Sequence, residues 1–279
     1  GLGDVYKRQV LQFHRILDKI SEIPPNYKAW NLGLASGLAC CGFTFLLGGG
    51  PVEMILAFFG AGVGMYVRKK LLERHITLLA NVAAGVAAAC CTYLLLFKLF
   101  EVIFNVSSVH QSGYICSMLF VIPGFPLITG GIDLAKLDLR SGLERITYAL
   151  LIILMATITG WVVALLLHFS PADFPELEMA PLVKMVIRII TSFCGVYGFS
   201  LMFNSKRKMA ACAGLIGMIA NTTRLELIDF TPIPAGVAAF IGAMIAGLLA
   251  SAMKSKAGYP RITLTVPSIV IMVPGMFLY

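Results

Sequence analysis

The sequence predicts an all-α polytopic membrane protein, with about nine transmembrane helices visible of a 5+5 inverted repeat. Three observations carry this. The 279 residues are 58% hydrophobic and 13% charged, with a mean hydropathy of +0.87, too little polar surface for a water-soluble domain. Continuous apolar runs of about 20 residues, the length that crosses a bilayer, recur along the chain, whereas a membrane β-barrel would show short alternating segments. Lysine and arginine cluster between alternate runs.

Residues 1–28 read as a cytoplasmic N-terminal remnant. Within it "GLGDVYKRQ" (1–9) has no initiator Met and is unlike the rest of the chain, so it is set aside as artefactual. Nine spans come next, at about 29–47, 51–67, 76–97, 114–130, 143–168, 181–203, 208–221, 232–252 and 261–279. The seventh is short for a crossing and is expected to be tilted, kinked or re-entrant. Of the 22 Lys and Arg residues, 18 fall on one side of this layout, only Lys98 and Arg224 on the other, and Lys184 and Arg188 inside the sixth span. That bias places the N-terminus in the cytoplasm of a cell (inner) membrane protein. The net charge of +8 is thereby assigned to loop anchors, not to nucleic-acid binding. The seven cysteines lie in apolar segments without CxxC or Cys/His spacing, so they read as small packing residues, with no metal site and no cofactor.

The chain also resembles itself. "GFTFLL" (42–47) matches "GFSLMF" (198–203), "AGVAAAC" (84–90) matches "AGVAAFI" (235–241), and "VIPGFPL" (121–127) matches "IMVPGMFLY" (271–279), all offset by roughly 150 residues. A unit of five spans is odd, so the second copy would enter the membrane from the opposite face. Residues 29–168 form the first repeat and 181–279 the second, whose last helix is lacking; the chain reads as a fragment at both ends. Pro-Gly breaks recur in both halves, at Pro123-Gly124 and Pro274-Gly275. Matched breaks in inverted halves point to a substrate site near the midplane; a plain packing kink explains a single break equally well.

The run "PGFPLITGGIDLAKLDLRSGLERITYALLIILMATITGWVV" (123–163) resembles the threonine/serine exporter family, whose first membrane domain carries Pro-Gly, an Asp about nine residues on, then Gly and Arg before the next span. Here these are Pro123, Gly124, Asp133, Gly142 and Arg145. Residues 20–50 resemble that family's approach to its first span. Residues 181–279 resemble its smaller partner domain, which ends in Val-Pro-Gly, here Val273-Pro274-Gly275. The resemblance implies a proton-driven exporter of threonine and serine, with dicarboxylate export in split two-chain relatives. Family members usually carry a longer cytoplasmic N-terminal region than residues 10–28.

Several residues are candidates for the transport site. Pro123, Gly124, Pro126, Pro274 and Gly275 would present backbone groups to a substrate carboxylate. Arg145 and Arg188 would pair with carboxylates; a cytoplasmic anchor is the plainer role for Arg145, and Lys184 beside Arg188 would snorkel outward. Asp133 or Glu53 would carry the exchanging proton, against a loop ion pair for Asp133 and a first-turn dipole partner for Glu53. Asn81 and Asn221 read as interhelical glue, and His75, His110 and His168 as interfacial. No Walker A, HExxH or GxSxG motif occurs, so an enzyme is not expected. The expected partners are a small amino-acid substrate, protons and the lipid bilayer, with room for a homo-oligomer. The rival readings are a succinate-like dicarboxylate exporter on the same fold, a non-transporting membrane scaffold, and a membrane-embedded enzyme.

Overall fold

The computed structural model describes residues 10, 12–19, 24–104, 108–169 and 179–273, and among them the chain is helical without strands. After a short helical stretch before residue 20 come α1 (Ala29–Leu46), α2 (Pro51–Glu73) and α3 (Leu78–Phe104). A 3-10 segment (Ser108–Val121) leads into α4 (Gly124–Ala135), followed by α5 (Leu139–Leu166). Then come α6 (Pro181–Met202), α7 (Arg207–Phe230), α8 (Ala235–Ala257) and α9 (Arg261–Val270).

Local sequence sets these limits. Pro51 and Pro181 open α2 and α6, where a proline's fixed φ and missing N–H cost nothing. Asp138 caps α5 by accepting from the Ser141 amide at 3.3 Å. Five helices end in one device. At the close of α1, α2, α4, α5 and α6 the chain turns left-handed at Gly48, His75, Leu137, His168 and Asn204. The following amide then reaches back to a last-turn carbonyl, as Ile76 does to Leu71 and Ser205 to Ser200. The linker before α1 is pinned to the α6–α7 turn. Asn26 donates two hydrogen bonds to Asn204, from its amide to Oδ1 and from Nδ2 to the carbonyl, and the Tyr27 hydroxyl donates to the Ser205 carbonyl at 2.7 Å. Burial, and then Tyr197 nearby, hold that phenol above its ordinary range, so it remains a donor.

The residue distribution is that of an integral membrane protein. On α5 the large residues Leu150, Leu154, Ile158, Trp161 and Leu165 are exposed, while Ala149, Ile152, Ala156, Gly160 and Val163 are buried. Small residues line the interior because lipid leaves no hydrophobic drive between helices, so close backbone packing holds them together. The seam between α1 and α6 shows it. A Cβ on Gly42 would sit 2.6 Å from the Thr191 carbonyl, and one on Gly198 would collide with the Ala35 carbonyl.

Among the described residues six helices (α1, α2, α3, α5, α6 and residues 235–253 of α8) are long and apolar enough to cross, or seven with the 3-10/α4 pair counted as one span bent by 62°. The expected nine are not confirmed by this measure. α7 runs 24 residues, longer than the predicted 208–221, but carries Arg224, Glu226 and Asp229 near its end. α9 has 10 helical residues, and Pro274 and Gly275 lie outside the described residues. Consecutive helices alternate in direction. The face on which α1 begins is called the near face, and that on which α2 begins the far face.

Candidate functional site

The fourth span is where the backbone departs from a simple crossing. Pro123 cannot donate to the preceding turn and has φ −80° and ψ 52°, so helix α4 starts afresh at Gly124 with no side-chain cap. The break is buried. Pro123 and Pro126 line a cavity of about 450 Å³ between α2, α3, α5 and the end of α6. Arg68, Asn81, Tyr148 and Phe203 share its wall. Arg68 Nε donates to Asn81 Oδ1 at 3.1 Å, and Asn81 Nδ2 donates to the Arg68 carbonyl at 2.8 Å. The Arg68 guanidinium, Lys69, Asn81 and the two prolines therefore border one space, with Pro123 at the break and Pro126 in the first turn of α4.

Gly124 takes the other side of the break and packs on Val270 of α9. The break in the fourth span of the first half thus packs on the end of α9 in the second half.

The remaining candidates are spread over both faces. Asp133 and Arg145 form an ion pair at 3.0 Å on the near face. Arg145 Nη1 also donates to Thr129 Oγ1 at 3.1 Å. Arg145 is exposed and outside the cavity wall. Arg188 is 7% exposed and lies on the far face, with Nη1 2.9 Å from Glu226 and Nη2 2.9 Å from Asp229. Lys184 reaches Asp229 at 2.8 Å instead of snorkelling away from protein. A buried guanidinium needs such partners, since an uncompensated charge there is costly. Glu53 is completely buried in the first turn of α2. Gly113 packs against its Cβ and Cγ and against the Tyr93 hydroxyl, which leaves no room for a side chain at 113. The structure therefore joins Pro123 with Pro126, and Asp133 with Arg145. It leaves Glu53 and Arg188 on the far-face ends of α2 and α6. Asn221 Nδ2 donates to Ser192 Oγ at 2.9 Å between α7 and α6, as an interhelical contact. No group of three or more His, Cys, Asp or Glu side chains able to hold a metal occurs among the described residues.

The comparisons with known proteins bear on this arrangement. Residues 6–168 match the family described as a putative threonine/serine exporter, and residues 188–279 the family described as threonine/serine exporter ThrE. The chain belongs to the threonine/serine exporter family. It is 33% identical over 163 residues to the probable succinate transporter subunit YjjP of Escherichia coli strain K12, over 56% of this chain and 62% of that protein. It is 32% identical over 165 residues to the protein of the same name from Klebsiella aerogenes, covering 56% and 61%. The match thus spans less than two thirds of either relative. Pheromone-regulated membrane protein 10 of Debaryomyces hansenii is 23% identical over 281 residues, 92% of this chain and 26% of that one. No solved structure matches.

In this threonine/serine exporter family chain, sequence reasoning missed Arg68, Glu226 and Asp229 as site groups. Glu226 and Asp229 are three apart on α7 and mirror Lys184 and Arg188, four apart on α6. Opposite charges at helical spacing were the available signal. Arg68 sits in a run of basic residues at a helix end and carried no such mark.

Proposed function

We propose that the chain forms the membrane part of a secondary exporter of small amino acids, threonine or serine, working by proton-coupled alternating access between two inverted halves. The observation that carries this is the buried break at Pro123, which borders a cavity together with Arg68. The Arg68 guanidinium, with Lys69 and Asn81 in the same wall beside the Pro123 turn, forms a setting for a carboxylate. The packing favours an inverted pair. α1 meets α2 as α6 meets α7, α2 meets α3 as α7 meets α8, and the 3-10 segment touches α2 and α3 as α9 touches α7 and α8. In the proposed layout the repeat is 5+5, the near face is cytoplasmic because the Lys/Arg excess lies there, and the membrane is the cell (inner) membrane.

Of the two proton-carrier candidates, the geometry favours Glu53. It is buried away from water, whereas Asp133 is engaged by Arg145 at the near face.

A dicarboxylate substrate is the second reading, favoured by the relatives named as probable succinate transporter subunits. Efflux of preloaded threonine and of succinate from proteoliposomes, with and without an imposed proton gradient, separates the two. Gradient-dependent threonine efflux inhibited by serine supports the first; succinate efflux without threonine efflux supports the second. No flux of either refutes transport.

A further inference from the structure

Arg68 and Arg224 occupy the same station in the two halves. Each stands 17 positions after the first residue of its helix, 51 to 68 in α2 and 207 to 224 in α7. The separation of 156 is that of "GFTFLL" and "GFSLMF", 42 to 198. Their surroundings agree. A Cβ on Gly85 of α3 would meet the Arg68 side chain and sit 3.2 Å from the Gly64 carbonyl. A Cβ on Gly242 of α8 would sit 3.2 Å from Arg224 Cβ and 3.1 Å from the Ala220 carbonyl. Gly64 and Ala220 are again 156 apart. The α3/α8 equivalence is thus Gly85 with Gly242, whereas Gly236, the partner suggested by sequence likeness, faces open space.

The two arginines differ in what they touch. Arg68 lines the cavity beside Val121, Ile122 and Pro123. Arg224 Nη1 donates to the Met272 carbonyl at 3.3 Å, and Met272 stands as far before Pro274 as Val121 does before Pro123. The Arg224 Nε is buried and has no hydrogen-bond partner among the described residues. On the near face Arg68, held by Asn81, borders a space; in the second half Arg224 donates to the carbonyl of Met272, just after α9.

We infer that Arg68 and Arg224 are alternating receptors for the substrate carboxylate, one serving each face. In the state seen here Arg68, oriented by Asn81, meets a carboxylate entering from the near face, while the Met272 carbonyl occupies Arg224. In the opposite state Arg224 leaves that carbonyl and takes the carboxylate, and the near-face cavity closes over Arg68. Arginine suits this because its planar fork pairs with a carboxylate in two parallel bonds yet can rest on a backbone carbonyl. This inference rests on the proposed exporter function.

The test measures half-saturation for threonine and succinate from each face separately, in oriented proteoliposomes of the protein. Arg68→Gln raises the near-face value about tenfold or more, the scale of one lost charge-assisted pair, and the far-face value less than about threefold. Arg224→Gln does the reverse. Arg68→Lys and Arg224→Lys keep the charge and carry the same test wherever a glutamine variant does not fold. Wild-type flux with either variant acting equally on both faces, or on neither, overturns the paired receptors and leaves the exporter reading standing. Absence of any wild-type flux overturns both.

Discussion

Gly124→Ala adds one methyl where the break of the fourth span packs on α9. On this backbone the new Cβ would stand 2.8 and 2.9 Å from the two γ-carbons of Val270 and 3.3 Å from its β-carbon. Val270 is fully buried and β-branched, so its methyls cannot turn aside without leaving their rotamer. The opposing effect is entropic. Gly124 is not in the left-handed region, and alanine at a compatible backbone position stabilises by about 0.4–1 kcal/mol. Overpacking a tight contact costs about 1–3 kcal/mol. The steric effect wins, and the variant is expected to lose about 1–2 kcal/mol net. Val270→Ala alone costs about 1–3 kcal/mol through lost packing contacts and the cavity left behind. In the double variant the added methyl enters the vacated space. The combined cost then falls short of the sum by about 1–2 kcal/mol. Unfolding of the purified chain in mixed micelles, followed by denaturant titration, reads all three. Strict additivity, or a Gly124→Ala protein as stable as wild type, would refute the claim that this contact sets how the break packs on α9.

The ionic and hydrogen-bonded contacts lead to further outcomes. Arg188→Gln leaves Glu226 and Asp229 without their shared cation and is expected to cost about 3 kcal/mol; adding Glu226→Gln restores part of it in the same titration, and no restoration would mean the cluster is not coupled. Glu53→Gln abolishes the dependence of efflux on an imposed pH gradient while Asp133→Asn retains it; the opposite result in proteoliposomes transfers the proton-carrying role to Asp133. Tyr27→Phe removes the hydroxyl that donates to the Ser205 carbonyl and costs about 1–2 kcal/mol, because a buried acceptor loses its partner; an unchanged unfolding midpoint would show the linker is not pinned there.

Much of the site was legible from local chemistry. The prolines at 123 and 126 announce a break wherever they sit, because each lacks an amide proton. Asp133 and Arg145 were anticipated as separate candidates, and the structure joins them at 3.0 Å. The α5 start folds back beside the α4 end, which sequence spacing does not encode. The seventh span was drawn to end at residue 221 because polar and charged residues come after it. The helix continues to Phe230 because Lys184 and Arg188, distant in sequence, neutralise Glu226 and Asp229. Asn81 was read as glue, and it is a bonded partner, but of the arginine that lines the cavity.

By itself the sequence determined the solvent of this protein and the rough order of its helices. Hydrophobic length and the placement of lysine and arginine are properties of single segments facing lipid or water, and they need no partner to be read. Tertiary structure alone decided which charges are compensated, that the Pro123 break packs on α9, and which arginine borders a cavity while its counterpart is bonded to a backbone carbonyl. Those facts depend on distances between residues far apart in the chain, such as Arg68 with Asn81 and the Pro123 turn, or Arg224 with Met272. Only packing creates those distances, because only packing makes two helices share one dry interior.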